Sequence, residues 1–400
     1  MSLGNYEVFR SPQVTVYGRD AFQRVGTETA LRGKKALIVS DKIMESLGYV
    51  EQCIDYLEQE NVQSEIYVGV NSEPTDLYVE ESLALFKKTE CDVIISLGGG
   101  SCIDTAKAVA VLVTNGGYIG DYMGGAKIVS SSSVPHIAIP TTAGTGSEVT
   151  DATVITNTKN DEKMMIKQPQ FMPAVAIVDP LLSLSSPQKI TAATGIDALS
   201  HAVEAYLSKK AHLMTDTLAL SAIRLIVTNI KKVYENPNDV TAREAMSIGS
   251  MYGGMAFSNA SVCLVHGMSR PIGALFHVPH GESNAMLLPA VLEFSKESCK
   301  ERLATIGRIF SEEDGDMDVE EAADFAVEQI KNLCIDLKIP NLKDWGIEQD
   351  KFESAITKMA SDALRSGSPN NNPRVPSQEE IEELYRVCYA YPFSTLKVTS

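Results

Sequence analysis

The sequence contains few cysteines for its length, and their arrangement suggests neither disulfides nor a thiolate metal site. Seven cysteines are scattered through 400 residues, and no two of them form a CxxC pair. A chain of this length can bury a core without cross-links, so an odd number of scattered cysteines favours free thiols in a reducing compartment.

Long apolar runs and targeting signals are also lacking. No segment approaches the roughly 20 consecutive apolar residues that span a bilayer. Residues 1–10 lack the basic stretch and apolar core of a signal peptide. Together with the free thiols, these absences predict a cytoplasmic protein without a membrane partner.

Basic residues are fewer than acidic ones. The chain has 35 Lys and Arg residues against 52 Asp and Glu residues, which gives a formal net charge of -17. An acidic surface is repelled by nucleic acid and by anionic lipid, so we expect no nucleic-acid partner. The acidity says little about a small neutral substrate.

The first half of the chain alternates short apolar strands with helices. Such alternation predicts a parallel sheet with helices on both faces, and a hairpin is expected at 153–156 and 164–167. The predicted strands lie at 36–40, 65–68, 92–97, 136–140 and 174–178, and the predicted helices at 47–60, 77–88 and 103–113.

The second half has helical periodicity almost throughout. We therefore predict two domains, an N-terminal α/β dinucleotide-binding domain at 1–184 and an all-α C-terminal domain at 185–400, with the boundary near Leu184. The predicted helices lie at 191–207, 215–234, 240–260, 285–294, 300–310, 319–337 and 350–364, and a last helix follows the loop at 366–377.

Two loops rich in small residues follow predicted strands. Gly98-Gly-Gly-Ser101 joins a strand to a helix, where exposed backbone N–H groups attract an anion such as a dinucleotide pyrophosphate. The loop is not a GxGxxG fingerprint, and a lone glycine triplet is equally well a tight turn. The loop at 140–147 offers four hydroxyls and two glycines, enough to hydrogen-bond a ribose or a nicotinamide.

Asp41 comes directly after the first predicted strand. A carboxylate there can accept hydrogen bonds from ribose hydroxyls and disfavours the 2′-phosphate of NADP, which predicts NAD as the cofactor. The alternative role for Asp41 is a helix cap, because Asp is common at that position.

Four side chains of the second half form a candidate metal site. Asp197 and His201 lie four residues apart in a predicted helix, so they share one face, and His266 and His280 each precede a glycine. Three imidazoles and one carboxylate suit Fe(II), Zn(II) or another divalent ion of the first row. Each histidine alone is better explained as a core or surface residue; the set as a whole favours a metal.

Several separated motifs, in this order, resemble the iron-containing (group III) alcohol dehydrogenases over nearly the whole chain. That resemblance implies the two-domain architecture shared with dehydroquinate synthase, an active site between the domains, and a dimer or larger homo-oligomer. The motifs are GGGSCID at 98–104, PTTAGTGSEVT at 140–150, GIDALSH at 195–201 with EAY at 204–206, VHG at 265–267 and PHG at 279–281.

The resemblance also assigns residues and an activity. It implies hydride transfer between NAD(H) and a small alcohol, diol or aldehyde, with Asp197, His201, His266 and His280 as metal ligands. The cofactor contacts that it implies are Asp41, Gly98, Gly99, Gly100, Ser101, Asp104, Thr141, Thr142, Thr145, Ser147 and Lys163.

One position departs from the pattern of this family. Many members carry a second histidine four residues after the third ligand, and here that residue is Arg270. Arginine stays charged and is no ordinary base. Either His277 relays the proton instead, or Arg270 binds a carboxylate or phosphate of the substrate.

Three alternatives remain open at this point. A dehydroquinate-synthase-like lyase or cyclase also combines NAD with a metal, but it would need several basic residues, and none cluster beyond Arg270. A glycerol-dehydrogenase-like polyol oxidoreductase shares the fold and differs in its motifs. A binding protein that kept the scaffold without catalysis would not need all four ligands and both loops.

Overall fold

The strands of the first half form one parallel sheet and a separate hairpin. The computed structural model describes residues 6–160, 162–311 and 317–393. Its six-stranded sheet has the order β1-β8-β5-β4-β2-β3 with all neighbours parallel, and β6 and β7 pair antiparallel. The strands are β1 Val14–Tyr17, β2 Lys35–Val39, β3 Gln63–Tyr67, β4 Val93–Gly98, β5 His136–Pro140, β6 Ala152–Asn157, β7 Glu162–Lys167 and β8 Val175–Val178.

The α/β class and the predicted parallel sheet are confirmed, with strand ends displaced by no more than two residues. Three features were missed, the edge strand β1 and the helices at Arg24–Ala30 and Lys42–Ser46. The predicted helix at 47–60 is confirmed as Tyr49–Gln59, and Gly48, with φ +79°, separates it from the helix before it. The helices of this half are α1 Arg24–Ala30, α2 Lys42–Ser46, α3 Tyr49–Gln59, α4 Asp76–Thr89 and α5 Gly100–Asn115.

Alternate side chains of β2 show that both faces of the sheet are covered. Ala36 and Ile38 pack with residues of α1 and α3, whereas Leu37 and Val39 pack with residues of α4 and α5. Strand β2 pairs with β3 on one side and with β4 on the other, so the strand order reverses between β2 and β4. Ligands of open α/β sheets bind at the carboxyl ends of strands at such a point.

Helices make up the second half, as predicted. Most predicted bounds are within two residues, but α10 begins five residues before its predicted start, and α9 was missed because its glycines and Pro271 interrupt the pattern. The helices are α6 Gln188–Leu207, α7 Leu213–Glu235, α8 Val240–Ala260, α9 Leu264–Phe276, α10 His280–Ser295, α11 Lys300–Phe310, α12 Val319–Asp336, α13 Leu342–Trp345, α14 Gln349–Arg365 and α15 Gln378–Tyr389.

The loop between β5 and β6 connects the two halves. A Cβ on Gly146 would lie 2.6 Å from the Cα of Gly254 in α8, and one on Gly144 would lie 2.6 Å from the Cβ of Thr194 in α6. Side chains at these glycines would clash, so the loop and the two helices need them for their close approach. The domain boundary near Leu184 stays a prediction, and it falls between the end of β8 and the start of α6.

Helix α7 is, among the described residues, the one helix long and apolar enough to cross a membrane by length and composition. The sequence analysis found no such segment, because Asp216 and Arg224 interrupt its apolar run. Ala219, Ile223 and Ile230 of α7 are fully buried in the core of the helical half. One such helix is weak evidence for a membrane span, since a core helix passes the same test.

Candidate metal and cofactor site

The structure brings the four candidate metal ligands together. Asp197 and His201 project from one face of α6, His266 lies in the first turn of α9, and His280 is the first residue of α10. One ligand atom from each residue lies within 4.8 Å of all the others. The first three side chains are buried, so three helices hold the cluster in the interior.

Glu204 fixes one of these imidazoles. Its Oε2 lies 2.6 Å from Nδ1 of His266, and its Oε1 accepts a hydrogen bond of 2.6 Å from the backbone N–H of Val265. Carboxylates that hold the second nitrogen of a ligating histidine are common behind metal sites. The sequence analysis did not assign this role, although Glu204 follows Asp197 by seven residues on the same face of α6.

The electron pairs of the cluster converge on one electropositive group. Nδ2 of Asn284 lies 2.7 Å from Oδ1 of Asp197, 3.0 Å from Nε2 of His266 and 3.2 Å from Nε2 of His280. An amide nitrogen has two hydrogens for these three acceptors, and Nδ1 of His201 has no hydrogen-bond partner and lies 3.9 Å from Oδ1 of Asp197. The donor set is therefore arranged for a positive charge that side chains alone do not supply.

Burial sets the protonation of the imidazoles. It lowers the pKa of His201 and of His280 to about 3, so both rings are neutral at pH 7 and keep a free electron pair. Burial alone would raise the pKa of Asp197, but the neighbouring imidazoles outweigh it and hold that pKa well below its usual value. Burial also lowers the pKa of His266, but Glu204 and Asp197 outweigh it and raise that pKa. One carboxylate and two neutral imidazoles fit a divalent cation.

The two small-residue loops lie side by side at the carboxyl ends of β4 and β5. Gly99 is the N-cap of α5, and the backbone N–H of Thr141 donates to the carbonyl of Gly98 over 3.0 Å. A Cβ on Gly100 would lie 2.9 Å from Cγ2 of Thr145. Ser101 and Thr142 are both partly exposed at this edge, which leaves the start of α5 open to an anion.

Asp41 is a helix cap that also faces the glycine loop. Its Oδ1 accepts hydrogen bonds of 2.8 and 2.9 Å from the N–H groups of Ile43 and Met44, so the capping alternative is correct. Its Oδ2 lies 3.7 Å from Sγ of Cys102 and 3.4 Å from where a Cβ on Gly98 would stand. The cap therefore orients the second carboxylate oxygen towards the crevice.

Asp104 and Ser147, both predicted as cofactor contacts, bond to each other. The hydroxyl of Ser147 donates to Oδ1 of Asp104 over 2.5 Å and accepts from Nζ of Lys107 over 3.0 Å. Lys107 is 1% exposed, and its Nζ also donates to Oγ1 of Thr150 and to the carbonyl of Ala152. The sequence analysis missed Lys107, whose signal is a lone lysine in an apolar helix.

The last three predicted residues lie around α9. Lys163 of β7 places Nζ 3.2 Å from Oε2 of Glu73, and a Cβ on Gly273 would lie 2.9 Å from that Nζ. Arg270 follows His266 by one turn. His277 caps the end of α9 with φ +56° and is exposed, and no described hydrogen bond or ring contact joins it to the four ligands.

Two family models match the chain. One described as "Iron-containing alcohol dehydrogenase" covers residues 12–180, and one described as "Fe-containing alcohol dehydrogenase family, C-terminal" covers residues 191–389. The 1,3-propanediol dehydrogenase of Citrobacter freundii is 38% identical over 94% of this chain and 97% of its own length.

Solved structures agree with these matches. A crystal structure of 1,3-propanediol oxidoreductase superposes with a TM-score of 0.92 at 37% identity, covering 96% of this chain and 100% of the other. The sulfoacetaldehyde reductase of Bifidobacterium kashiwanohense, in complex with NAD+, has a TM-score of 0.86 at 28% identity and covers 97% of this chain and 100% of its own.

The contact between Glu204 and His266 predicts the effect of Glu204→Gln. The glutamine amide can donate to Nδ1 of His266, which would move the ring proton to Nε2 and remove its electron pair from the cluster. We expect the affinity for Fe(II) or Zn(II) to fall by roughly 10- to 100-fold, measured by competition with a chelator. Glu235→Gln, at an exposed glutamate of α7, is the control; equal affinities in both variants would contradict the role.

Glu148 gives the stability a pH dependence. Burial raises the pKa of this 2% exposed side chain from 4.5 to about 7, opposed by its own backbone N–H and by Lys107, and its Oε2 has no partner. A folded-state pKa above the unfolded value means that stability is lost as the pH rises from 4.5 to 7. This pKa difference corresponds to about 3 kcal/mol.

Glu148→Gln cannot ionise, so its free energy of unfolding relative to the unmodified protein is expected to rise between pH 5 and pH 8. Denaturant unfolding at the two pH values measures the difference. The exposed Glu45 offers the control Glu45→Gln, which should show no such rise. A Glu148→Gln difference that is the same at both pH values would refute the assignment.

Proposed function

The chain belongs to the iron-containing alcohol dehydrogenase family and is a metal-dependent oxidoreductase that acts on alcohols, and from this membership we propose its finer chemistry. We propose Fe(II) as the metal, NAD(H) as the cofactor, and a small primary alcohol or diol with its aldehyde as the substrate pair. The observation that carries the proposal is the cluster of four candidate ligands, three of them buried, with the β5–β6 loop packed against the helix α6 that bears two of them. The family match favours this activity over the dehydroquinate-synthase-like and glycerol-dehydrogenase-like alternatives.

Asp197, His201, His266 and His280 would hold the metal. When bound, a divalent ion supplies a Lewis acid that polarises an alcohol or carbonyl oxygen. Three imidazoles and one carboxylate accept both Fe(II) and Zn(II), and the description of both matched families supports Fe(II). Glu204 keeps the ring of His266 in the orientation that presents Nε2 to the cluster.

The crevice between β2 and β4 would bind the dinucleotide. The N–H groups at the start of α5 suit its pyrophosphate, and Asp41 accepts from ribose hydroxyls while repelling a 2′-phosphate. The NAD+ bound to the sulfoacetaldehyde reductase supports this choice. Lys107 and Asp104 act indirectly, because they hold Ser147 and the loop around it in place.

The β5–β6 loop would align cofactor and substrate. Gly144 lies against Thr194, which is one turn before Asp197 on α6, so the cofactor loop and the metal cluster share a helix. Side chains of both halves thereby enclose the reacting groups and exclude water, which favours hydride transfer over side reactions.

We propose a homodimer or larger homo-oligomer in the cytoplasm. Strand β1 is at the edge of the sheet, and its Tyr17 is 62% exposed, as expected of a surface that a second copy could cover. All seven cysteines, which lie within the described residues, are unpaired, and this supports a reducing compartment.

Metal-dependent turnover tests the proposed function. The protein stripped with a chelator and reloaded with Fe(II) or Zn(II) is expected to form NADH from 1,3-propanediol or another short alcohol, with the higher rate for Fe(II). The stripped protein should be inactive, because a bound Lewis acid is needed to activate the alcohol oxygen. Undiminished turnover after complete metal removal would refute the proposal.

Asp41→Ser tests the cofactor preference. Serine retains a helix cap but removes the charge that repels a 2′-phosphate. We expect the KM for NADP to fall and the KM for NAD to rise, so that the preference for NAD shrinks by at least about tenfold. Asp55→Ser, at an exposed aspartate of α3, serves as the control. An unchanged NAD to NADP ratio would show that Asp41 only caps its helix.

A further inference from the structure

We propose that Arg270 recognises an oxyanion on the substrate, so that the preferred substrate is a small aldehyde or alcohol that also bears a carboxylate or a sulfonate. This inference rests on the proposed function, because it places the charged end of that substrate beside the metal cluster. It narrows the substrate class from neutral small alcohols to anionic ones.

The position of Arg270 on α9 directs it to the site. His266 and Arg270 are four residues apart, and Gly273 is seven residues from His266, so the three share one face of the helix. The same face meets the first half, because Nζ of Lys163 lies 2.9 Å from where a Cβ on Gly273 would stand.

The guanidinium of Arg270 is held at one point and is otherwise unpaired among the described residues. Nη1 donates to Oγ of Ser368 over 2.9 Å, and no other hydrogen bond or salt bridge is made by this side chain. Arg270 is partly buried. A planar group with five N–H donors and one bond retains the fork that binds a carboxylate or sulfonate through two oxygens.

Within the described part of the chain, no carboxylate forms a salt bridge with Arg270. The carboxylate of Glu204 attracts the guanidinium electrostatically, but both of its oxygens already bond to Val265 and His266. A buried cation without a paired anion is costly. Lys163 is compensated by its salt bridge of 3.2 Å to Glu73, so the unpaired positive charge at this end of the site is that of Arg270.

Paired substrates of equal chain length test the proposal. The ratio of kcat/KM for 4-oxobutanoate to that for butanal is expected to exceed 10 in the metal-loaded enzyme with NADH. Arg270→Gln should lower the ratio by roughly 10- to 100-fold, mainly through the KM for 4-oxobutanoate, since a hydrogen-bonded charge is lost. Arg270→Lys should restore part of this ratio, because lysine keeps the positive charge but lacks the paired N–H groups that bind two oxygens at once.

The control is Arg224→Gln, which removes a positive charge from the exposed side of α7 and should leave the ratio unchanged.

The alternative to anion recognition is a structural role, in which Arg270 only links α9 to the turn at Ser368. In that case Arg270→Gln and Ser368→Ala would lower activity on both aldehydes in proportion, and the proposal would be overturned.

Anion binding provides a readout that needs no turnover. Propionate and ethanesulfonate, titrated into the protein with NADH and followed by calorimetry, are expected to bind the unmodified protein and to bind Arg270→Gln at least tenfold more weakly. Equal binding to both proteins overturns the inference even if butanal is reduced, which would leave the dehydrogenase function standing. Arg270-dependent binding without reduction of any aldehyde would refute the dehydrogenase function instead.

Discussion

Four electron-pair donors that converge on one position in the interior are the constraint on which the helical half depends. Asp197 is 1% exposed, and three imidazoles surround it, yet the group that they share is only the amide of Asn284. Desolvating a carboxylate is costly unless a positive charge compensates it. Helices α6, α9 and α10 hold one candidate ligand atom from each of the four residues within 4.8 Å of the others.

The loop between β5 and β6 packs against both halves of the chain. It touches the glycine triplet through Thr145, α6 through Gly144 and α8 through Gly146. The buried ammonium group of Lys107 donates three hydrogen bonds to the end of this loop that leads into β6. Because one short segment contacts both the glycine triplet and the helix that carries Asp197 and His201, the positions of the two candidate sites depend on the same backbone.

The sequence predicted what depends on periodicity and local chemistry. Asp197 and His201 share a face at any helical register, and a glycine triplet after a buried strand marks the edge of a sheet. The rest depends on distant contacts. The bond of Glu204 to His266 joins residues 62 positions apart, and α9 forms despite Pro271 because its apolar side chains are buried by neighbouring helices. The burial that gives Lys107 three acceptors has no local signature either.

The seven cysteines have a consequence for how the protein responds to oxidants and alkylating reagents. All of them are buried, and burial raises the pKa of every one of these thiols. The thiolate is the form that reacts with peroxide, iodoacetamide or maleimide. The folded molecule therefore presents almost no reactive thiolate. The rate at which its cysteines are labelled reports how often the structure unfolds locally or globally.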